Sequence, residues 1–281
     1  MVTIKKNKEL QAKIKRLRSQ GKTIGFVPTM GALHEGHLSL VRRARKDNDI
    51  VVVSIFVNPL QFGSQEDLQH YPRPLQKDRN RLKGLCDILF LPSAKEMYPS
   101  GFCSKVEVRA LGDVLCGLRR KGHFAGVTTV VAKLFHAAMP DKAYFGQKDA
   151  QQAVVIRKMT EDLNMPIQIC VLPIVRENDG LAMSSRNAYL SGLQRRDAVV
   201  LYQALKSAQR MVAGGTRDSA KIKAALVDFI KRAASAHIEY IEIVDENSLR
   251  PIGRIAKRAL LLLAVHIGKI RLVDNMMLRA N

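Results

Sequence analysis

The chain of 281 residues is 47% hydrophobic and 25% charged, which suits a full apolar core and excludes a disordered or fibrous chain. Its 46 Lys and Arg against 25 Asp and Glu give a net charge of +21, a balance shared with nucleic-acid binders. No apolar run has the length of a membrane span, and the lysine-rich first 22 residues lack a signal peptide's apolar centre, so a soluble, cytoplasmic protein is expected.

Those first residues, MVTIKKNKELQAKIKRLRSQGK, have the spacing of one amphipathic helix. IGFVPTM (24–30) and IVVVSIFVN (50–58) are continuous β-branched runs, as in parallel strands buried on both faces, with a helical pattern at 35–48 between them. A charged helix at 67–84 leads to a third apolar run, CDILFLPS (86–93). Helical spacing returns over 127–139, KAYFG (142–146) reads as a short strand, 149–164 as a helix and PIQICVLPIVRE (166–177) as the last member of the series. Strands alternating with helices predict an α/β fold, a Rossmann-like doubly wound parallel sheet whose ligands bind beyond the carboxyl ends of its strands.

After SSRNAYLSGLQRR the pattern changes to helices at 197–212 and 217–235, followed by the strand-like runs HIEYIEIVD, ALLLLAVHI and KIRLVDN. A smaller α+β C-terminal domain is therefore expected, with residues 1–177 assigned to the first domain and 178–281 to the second.

The histidine segment VPTMGALHEGHLSLV (27–41) carries the most information. It reads as strand, tight loop and helix start, where unpaired N–H groups and the helix dipole favour an anion and where His34 and His37 can add imidazole donors. Two surface histidines three residues apart fit the same letters. In FVNPLQFG (56–63), Gln61 offers an uncharged amide after an Asn-Pro turn, although an ordinary β–α turn has the same composition. Val127, Val130 and Val131 suit either an apolar pocket or plain core. YFGQKDAQQ (144–152) places Gly146, Lys148, Asp149 and Gln152 around a strand-to-helix turn, with a point charge for phosphate and a carboxylate for ribose hydroxyls; a solvated loop is the alternative. In DGLAMSSRN (179–187), Ser184, Ser185 and Arg186 can donate to polyphosphate oxygens or simply cap a helix.

No GxxxxGK[ST], GxGxxG or GxSxG occurs, so a P-loop ATPase, a nicotinamide dehydrogenase and an α/β-hydrolase are disfavoured. Phosphate donors without an evident nucleophile point to an enzyme that positions ATP against a nucleophile carried by a substrate. The basic residues spread over helix faces at 5–22, 42–46, 73–83, 119–121, 195–196 and 217–232 with no Trp among them, so nucleic acid is not the expected partner. Cys86, Cys103, Cys116 and Cys170 form no CxxC pair and read as reduced thiols.

PTMGALHEGHLSLV, IFVNPLQFGSQEDLQHYPR, GHFAGVTTVVAKLF, YFGQKDAQQ, GLAMSSRN and IRLVDN together resemble the successive signature segments of the pantothenate synthetase (pantoate–β-alanine ligase) family within the HxGH nucleotidyltransferases. The resemblance implies ATP-dependent condensation of pantoate with β-alanine through pantoyl adenylate, giving pantothenate, AMP and pyrophosphate. Carried over residue by residue, His34, His37, Lys148, Ser184, Ser185 and Arg186 would be catalytic. Met30, His37, Gly146, Lys148, Asp149, Val175, Met183 and Ser184 to Arg186 would bind ATP. Pro28, Met30, Gln61, Val127, Val130, Val131 and Gln152 would bind pantoate. Mg²⁺ would bridge the phosphates with few protein ligands, the C-terminal domain would lid the site, and the enzyme would be a homodimer with its interface near VVSIFVN (52–58). Gln147 stands where many members carry Glu, and the +21 charge departs from the family's mildly acidic balance. The competing enzyme class is another HxGH nucleotidyltransferase; a nucleic-acid-binding activity, if present, would be a minor one independent of His34 and His37.

Overall fold

The structure is a computed structural model describing residues 1–63 and 68–280. It divides into two compact units, Met1–Gly146 with Gln152–Pro173, and Gln147–Gln151 with Ile174–Asn281. No described helix is long and apolar enough to cross a membrane.

The first unit runs β1 (Val2–Ile4), α1 (Asn7–Ser19), β2 (Ile24–Thr29), α2 (Glu35–Asp47), β3 (Ile50–Ile55), a 3₁₀ turn (Pro59–Gln61), α3 (Leu75–Leu82), β4 (Ile88–Phe90), the single turns α4 (Ala94–Met97) and α5 (Cys116–Arg119), α6 (His123–Ala138), β5 (Lys142–Gly146), α7 (Ala150–Asp162, its first two residues grouped with the second unit) and β6 (Gln168–Leu172). The strands form one parallel sheet in the order β1-β4-β3-β2-β5-β6, so the chain winds outward from β2 in both directions. Alternate residues supply the two faces. Ile24, Phe26, Val52, Ile88, Phe90, Ala143 and Phe145 pack with α1, α6 and α7, while Val27, Val51, Val53, Leu89 and Tyr144 pack with Leu40, Val41 and Ala44 of α2 and Leu82 of α3. Helix layers on both faces explain why these strands read as unbroken apolar runs.

Proline in a central strand is unusual, and Pro28 shows why it is tolerated here. The β2–β5 ladder stops after Gly25 and Phe26. Thr29 accepts from Phe56 on the β3 side (3.0 Å), so the neighbouring Pro28 turns its missing N–H toward β5, where no ladder remains to be broken. The sheet thus forks at the strand where the winding reverses, the place where open α/β sheets bind ligands.

The second unit contains a 3₁₀ turn at Gln147–Asp149, another at Ser185–Tyr189, then α8 (Gly192–Asp197), α9 (Val200–Ala213), α10 (Ser219–Ile230) and an antiparallel sheet ordered β7 (Ala236–Val244), β8 (Arg258–Ile267), β9 (Ile270–Arg279). Its core joins Leu201, Leu205 and Val212 of α9 and Ile222, Leu226 and Ile230 of α10 to one face of that sheet.

Three expectations need correction. The first helix starts only at Asn7, because the β-branched VTI segment is drawn onto β4 as an edge strand. The helix expected at 67–84 covers only Leu75–Leu82, since Pro72 and Pro74 disfavour helical backbone in the residues before them; Asp67 lies outside the described residues. The helix expected at 197–212 starts only at Val200, after a turn at Ala198 and Val199; Asp197 instead ends α8, and its carboxylate is engaged by Ser235 N–H (3.1 Å) and Oγ–H (2.6 Å).

Gly126 lies inside α6, where alanine would ordinarily add about 1 kcal/mol of helix stability. A Cβ there would lie 2.3 Å from the Leu60 carbonyl oxygen and 2.7 Å from Gln61 N. Gly126→Ala is therefore predicted to destabilise the protein by about 1–3 kcal/mol, measured by urea denaturation. A stability gain would show that α6 does not rest directly on this turn.

Candidate active site

The loop after β2 is held in a strained path. Gly31 and Ala32 have φ of +85° and +50°, and the left-handed region costs a non-glycine residue about 1–2 kcal/mol. Asp78 of α3, only 1% exposed, offsets this by accepting from the backbone N–H groups of Ala32 and Leu33, both at 2.8 Å. Such charge-assisted bonds contribute about 1.5–3 kcal/mol each, so the grip outweighs the strain. Thr29 Oγ accepts from Gly31 N–H (3.2 Å), and Arg81 donates to the Leu33 carbonyl.

This loop delivers His34 as the N-cap of α2. His34 Nδ1 accepts from Gly36 N–H (3.2 Å) and His37 Nδ1 accepts from His34 N–H (3.3 Å), a capping box built from two imidazoles. Their ring centroids are 4.1 Å apart. Because each Nδ1 accepts, each neutral ring carries its proton on Nε2, which makes Nε2–H a donor at a helix N-terminus. A Cβ on Gly36 would lie 2.9 Å from the His34 ring, so the crossed caps require glycine there.

Beyond β3, buried Asn58 organises Gln61. Its Nδ2 donates to Gln61 Oε1 (3.1 Å) and the Gly126 carbonyl (3.1 Å), and its Oδ1 accepts from Leu60 N–H (3.3 Å) and the Tyr98 hydroxyl (2.7 Å). Burial pushes the Tyr98 hydroxyl far above the ordinary phenol range, so it remains a donor. With its oxygen held, Gln61 turns Nε2 toward Met30 Sδ (3.2 Å). His123 Nδ1 meets the Gln61 carbonyl at 2.8 Å and its Nε2 meets Arg120 Nη1 at 2.9 Å. A carbonyl only accepts and a guanidinium only donates, so His123 carries its proton on Nδ1. Val127, Val130 and Val131 are buried in the core cluster, whereas Pro28 and Gln152 are half-buried.

In the second unit, Lys148 lies in the Gln147–Asp149 turn with Nζ 3.8 Å from the Asp149 carboxylate. Val175 and Met183 face each other across a hairpin, Met183 N–H donating to the Val175 carbonyl (3.0 Å). Ser184 caps the following 3₁₀ turn by accepting from Arg186 N–H (3.3 Å), so its capping role is realised. The hairpin is braced by ion pairs, with Arg195 reaching Glu177 (2.8 Å) and Asp179 (2.7 Å). The Arg195 guanidinium holds the Asp179 carboxyl below the usual carboxylate range. Arg176 forks onto Asp274 (2.6 and 2.9 Å), donates to the Gly180 carbonyl (3.0 Å) and stacks 4.3 Å from the Tyr202 ring centroid. Burial pushes the Asp274 carboxyl up, against the pull of Arg176.

Sequence reasoning missed Asp78, Tyr98, Arg120, His123, Arg176, Arg195 and the Asp274-Asn275 pair as supports of these loops. Of these, His123 lay in the GHFAGVTTVVAKLF segment and Asp274 and Asn275 in IRLVDN, both as part of the family pattern. Among the described residues, no group of three or more His, Cys, Asp or Glu could hold a metal ion.

The family model described as pantoate-beta-alanine ligase matches residues 2–277. Pantothenate synthetase of Caldicellulosiruptor saccharolyticus is 51% identical over 276 residues, covering 98% of each chain. That of Thermotoga neapolitana is 53% identical over 271 residues, covering 96% of this chain and 97% of the relative. The crystal structure of pantothenate synthetase from Thermus thermophilus superposes with a TM-score of 0.93 at 44% identity, covering 98% of this chain and 99% of that one. Pantoate-beta-alanine ligase from Francisella tularensis, complexed with beta-gamma ATP and beta-alanine, gives a TM-score of 0.81 at 35% identity, covering 99% and 97%.

Asp78→Ala is predicted to lower the unfolding free energy by about 3 kcal/mol, and Asp78→Asn by less because one oxygen still accepts. Urea titrations of both variants test this. Unchanged stability in Asp78→Ala would mean that the loop keeps its path without the carboxylate.

Proposed function

Because this chain belongs to the pantoate–β-alanine ligase family, we propose that the groups described above carry out the two halves of one ATP-dependent ligation. The enzyme is an acid–amine ligase that joins pantoate to β-alanine, with ATP as co-substrate, giving pantothenate, AMP and pyrophosphate. In the first half a pantoate carboxylate oxygen attacks the α-phosphorus of ATP, and the bond to the pyrophosphate oxygen breaks. In the second half the β-alanine amine attacks the acyl carbon of pantoyl adenylate, AMP leaves, and the nitrogen loses a proton. Both nucleophiles come from substrates, so the protein contributes position and charge stabilisation.

The observation that carries this reading is the crossed capping of His34 and His37, which commits each Nδ1 to backbone and each Nε2–H to donation. These two donors serve the phosphate oxygens on which charge grows as pyrophosphate departs. In the same reading Lys148 contacts the phosphates, and Ser184, Ser185 and Arg186 take their β/γ end. Gly146 and Asp149 hold the ribose, the Val175 backbone lies near adenine, and Met30 and Met183 contact the nucleotide. Gln61 and Gln152 hydrogen-bond pantoate, whose gem-dimethyl group rests on Pro28, Met30, Val127, Val130 and Val131.

ATP would enter as its magnesium complex, the ion screening the phosphate charge with few ligands from the protein. The four free cysteines accord with a cytoplasmic enzyme. Following the family resemblance, its working form is a homodimer, which sedimentation would test.

Release of AMP and pyrophosphate from ATP–Mg²⁺ is predicted to be sustained only with both pantoate and β-alanine present. His34→Ala and Lys148→Ala should each slow single-turnover adenylation by about 10²- to 10³-fold. Gln152→Ala should chiefly raise the KM for pantoate. Unchanged adenylation in both of the first two variants would overturn the phosphate assignment, and an effect of Gln152→Ala on ATP alone would overturn the pantoate assignment.

A further inference from the structure

Asn275 of β9 is 3% exposed, and its side chain is spent entirely on the turn that carries Lys148. Its Nδ2 donates to the carbonyl of Gln147 (2.8 Å) and to the carbonyl of Lys148 (3.0 Å), while its Oδ1 accepts from Gln147 Nε2 (3.0 Å). Those two carbonyls belong to the peptide planes on either side of the Lys148 Cα. Peptide groups are planar, so pinning both planes fixes the φ and ψ of Lys148 and with them the direction of its Cα–Cβ bond. From this geometry we propose that Asn275 is a positioning residue for the ligation, acting by aiming Lys148.

The support behind Asn275 is itself rigid. Asn275 N–H donates to Asp274 Oδ1 (2.8 Å), and Asp274 is held by the two-pronged Arg176 contact. Gln147 adds orientation: its Nε2 donates to the amide oxygen of Asn275, which leaves the Asn275 NH₂ group to face the carbonyls. Without these donors the two carbonyls would lose buried partners and the turn would be free to rotate. Lys148 would then sample directions that miss its target, and a displacement of about 1 Å at such a group can cost on the order of 10²-fold in rate. The inference rests on the reading that Lys148 contacts the ATP phosphates.

The test is a double-mutant cycle of Asn275→Ala and Lys148→Ala, with Asn275→Asp as a third variant and thermal unfolding as the check on folding. Asn275→Ala is expected to reduce kcat/KM for ATP by about 10- to 100-fold, with KM for pantoate changed less than about 2-fold. Asn275→Asp should be equally impaired, because it keeps the acceptor for Gln147 but sets a carboxylate against two carbonyls. In the Lys148→Ala background, Asn275→Ala should add less than about 3-fold. Additive losses, rescue by Asp, or equal effects on ATP and pantoate would overturn the inference. If Asn275→Ala does not fold, Asn275→Ser, which retains one donor, replaces it, and the same split between ATP and pantoate is expected. Should Lys148→Ala leave the ATP dependence unchanged, the phosphate reading of Lys148 falls, and this inference falls with it. Lys148→Ala impairment with additive Asn275 effects would overturn the positioning inference alone.

Discussion

A loop that must present donors to a ligand cannot use all its own backbone groups to hold itself in shape. The histidine loop meets this constraint through the buried Asp78 carboxylate, which takes the N–H groups of Ala32 and Leu33. The grip holds Ala32 in a left-handed conformation that its side chain disfavours, and so fixes where α2 begins and where His34 stands. The same solution recurs with different chemistry. Asn58 holds the turn bearing Gln61, Asn275 holds the turn bearing Lys148, and Arg195 braces the hairpin that leads into Ser184 to Arg186. Asp78, Arg195 and Asn275 reach these segments from farther along the chain, whereas Asn58 caps the turn that it supports.

The electrostatics follow from that division. The positive end of α2 and the imidazole donors of His34 and His37 offer hydrogen bonds toward anionic oxygen. Lys148 and Arg186 bring full charge in the second unit. Carboxylates in these segments are largely committed to structure: Asp78 to backbone, Asp274 to Arg176, Glu177 and Asp179 to Arg195. Under the proposed function these donors, with no activated side-chain nucleophile required, suit a reaction in which two substrates react with each other. The net charge of +21 is carried largely by lysines and arginines outside these segments.

The first unit was largely readable because its parallel strands are covered on both faces and so appear as uninterrupted apolar runs, as in KAYFG. Local patterns also placed α2 and the histidines at its start. What escaped depends on partners far along the chain. Asp78 sits in QKDRNR, where nothing local separates a buried acceptor from a solvated charge. The strand at Val2–Ile4 exists because β4 offers it an edge, and without that edge the lysines beside it read as helix. Pro28 looks like a strand breaker until the ladder with β5 is seen to stop before it. Asn275 shows its purpose only when Gln147 and Lys148, over a hundred residues earlier, are brought against it.

In the proposed ligation the protein supplies no nucleophile, and pantoate itself attacks ATP. Exchange of labelled pyrophosphate into ATP, measured without β-alanine, tests it most directly. Exchange that appears with pantoate and vanishes without it is the predicted result, because only the acyl adenylate can return to ATP. Exchange without pantoate would reveal an adenylylated side chain, and exchange that also demands β-alanine would exclude a free-standing adenylate step; either would contradict the account.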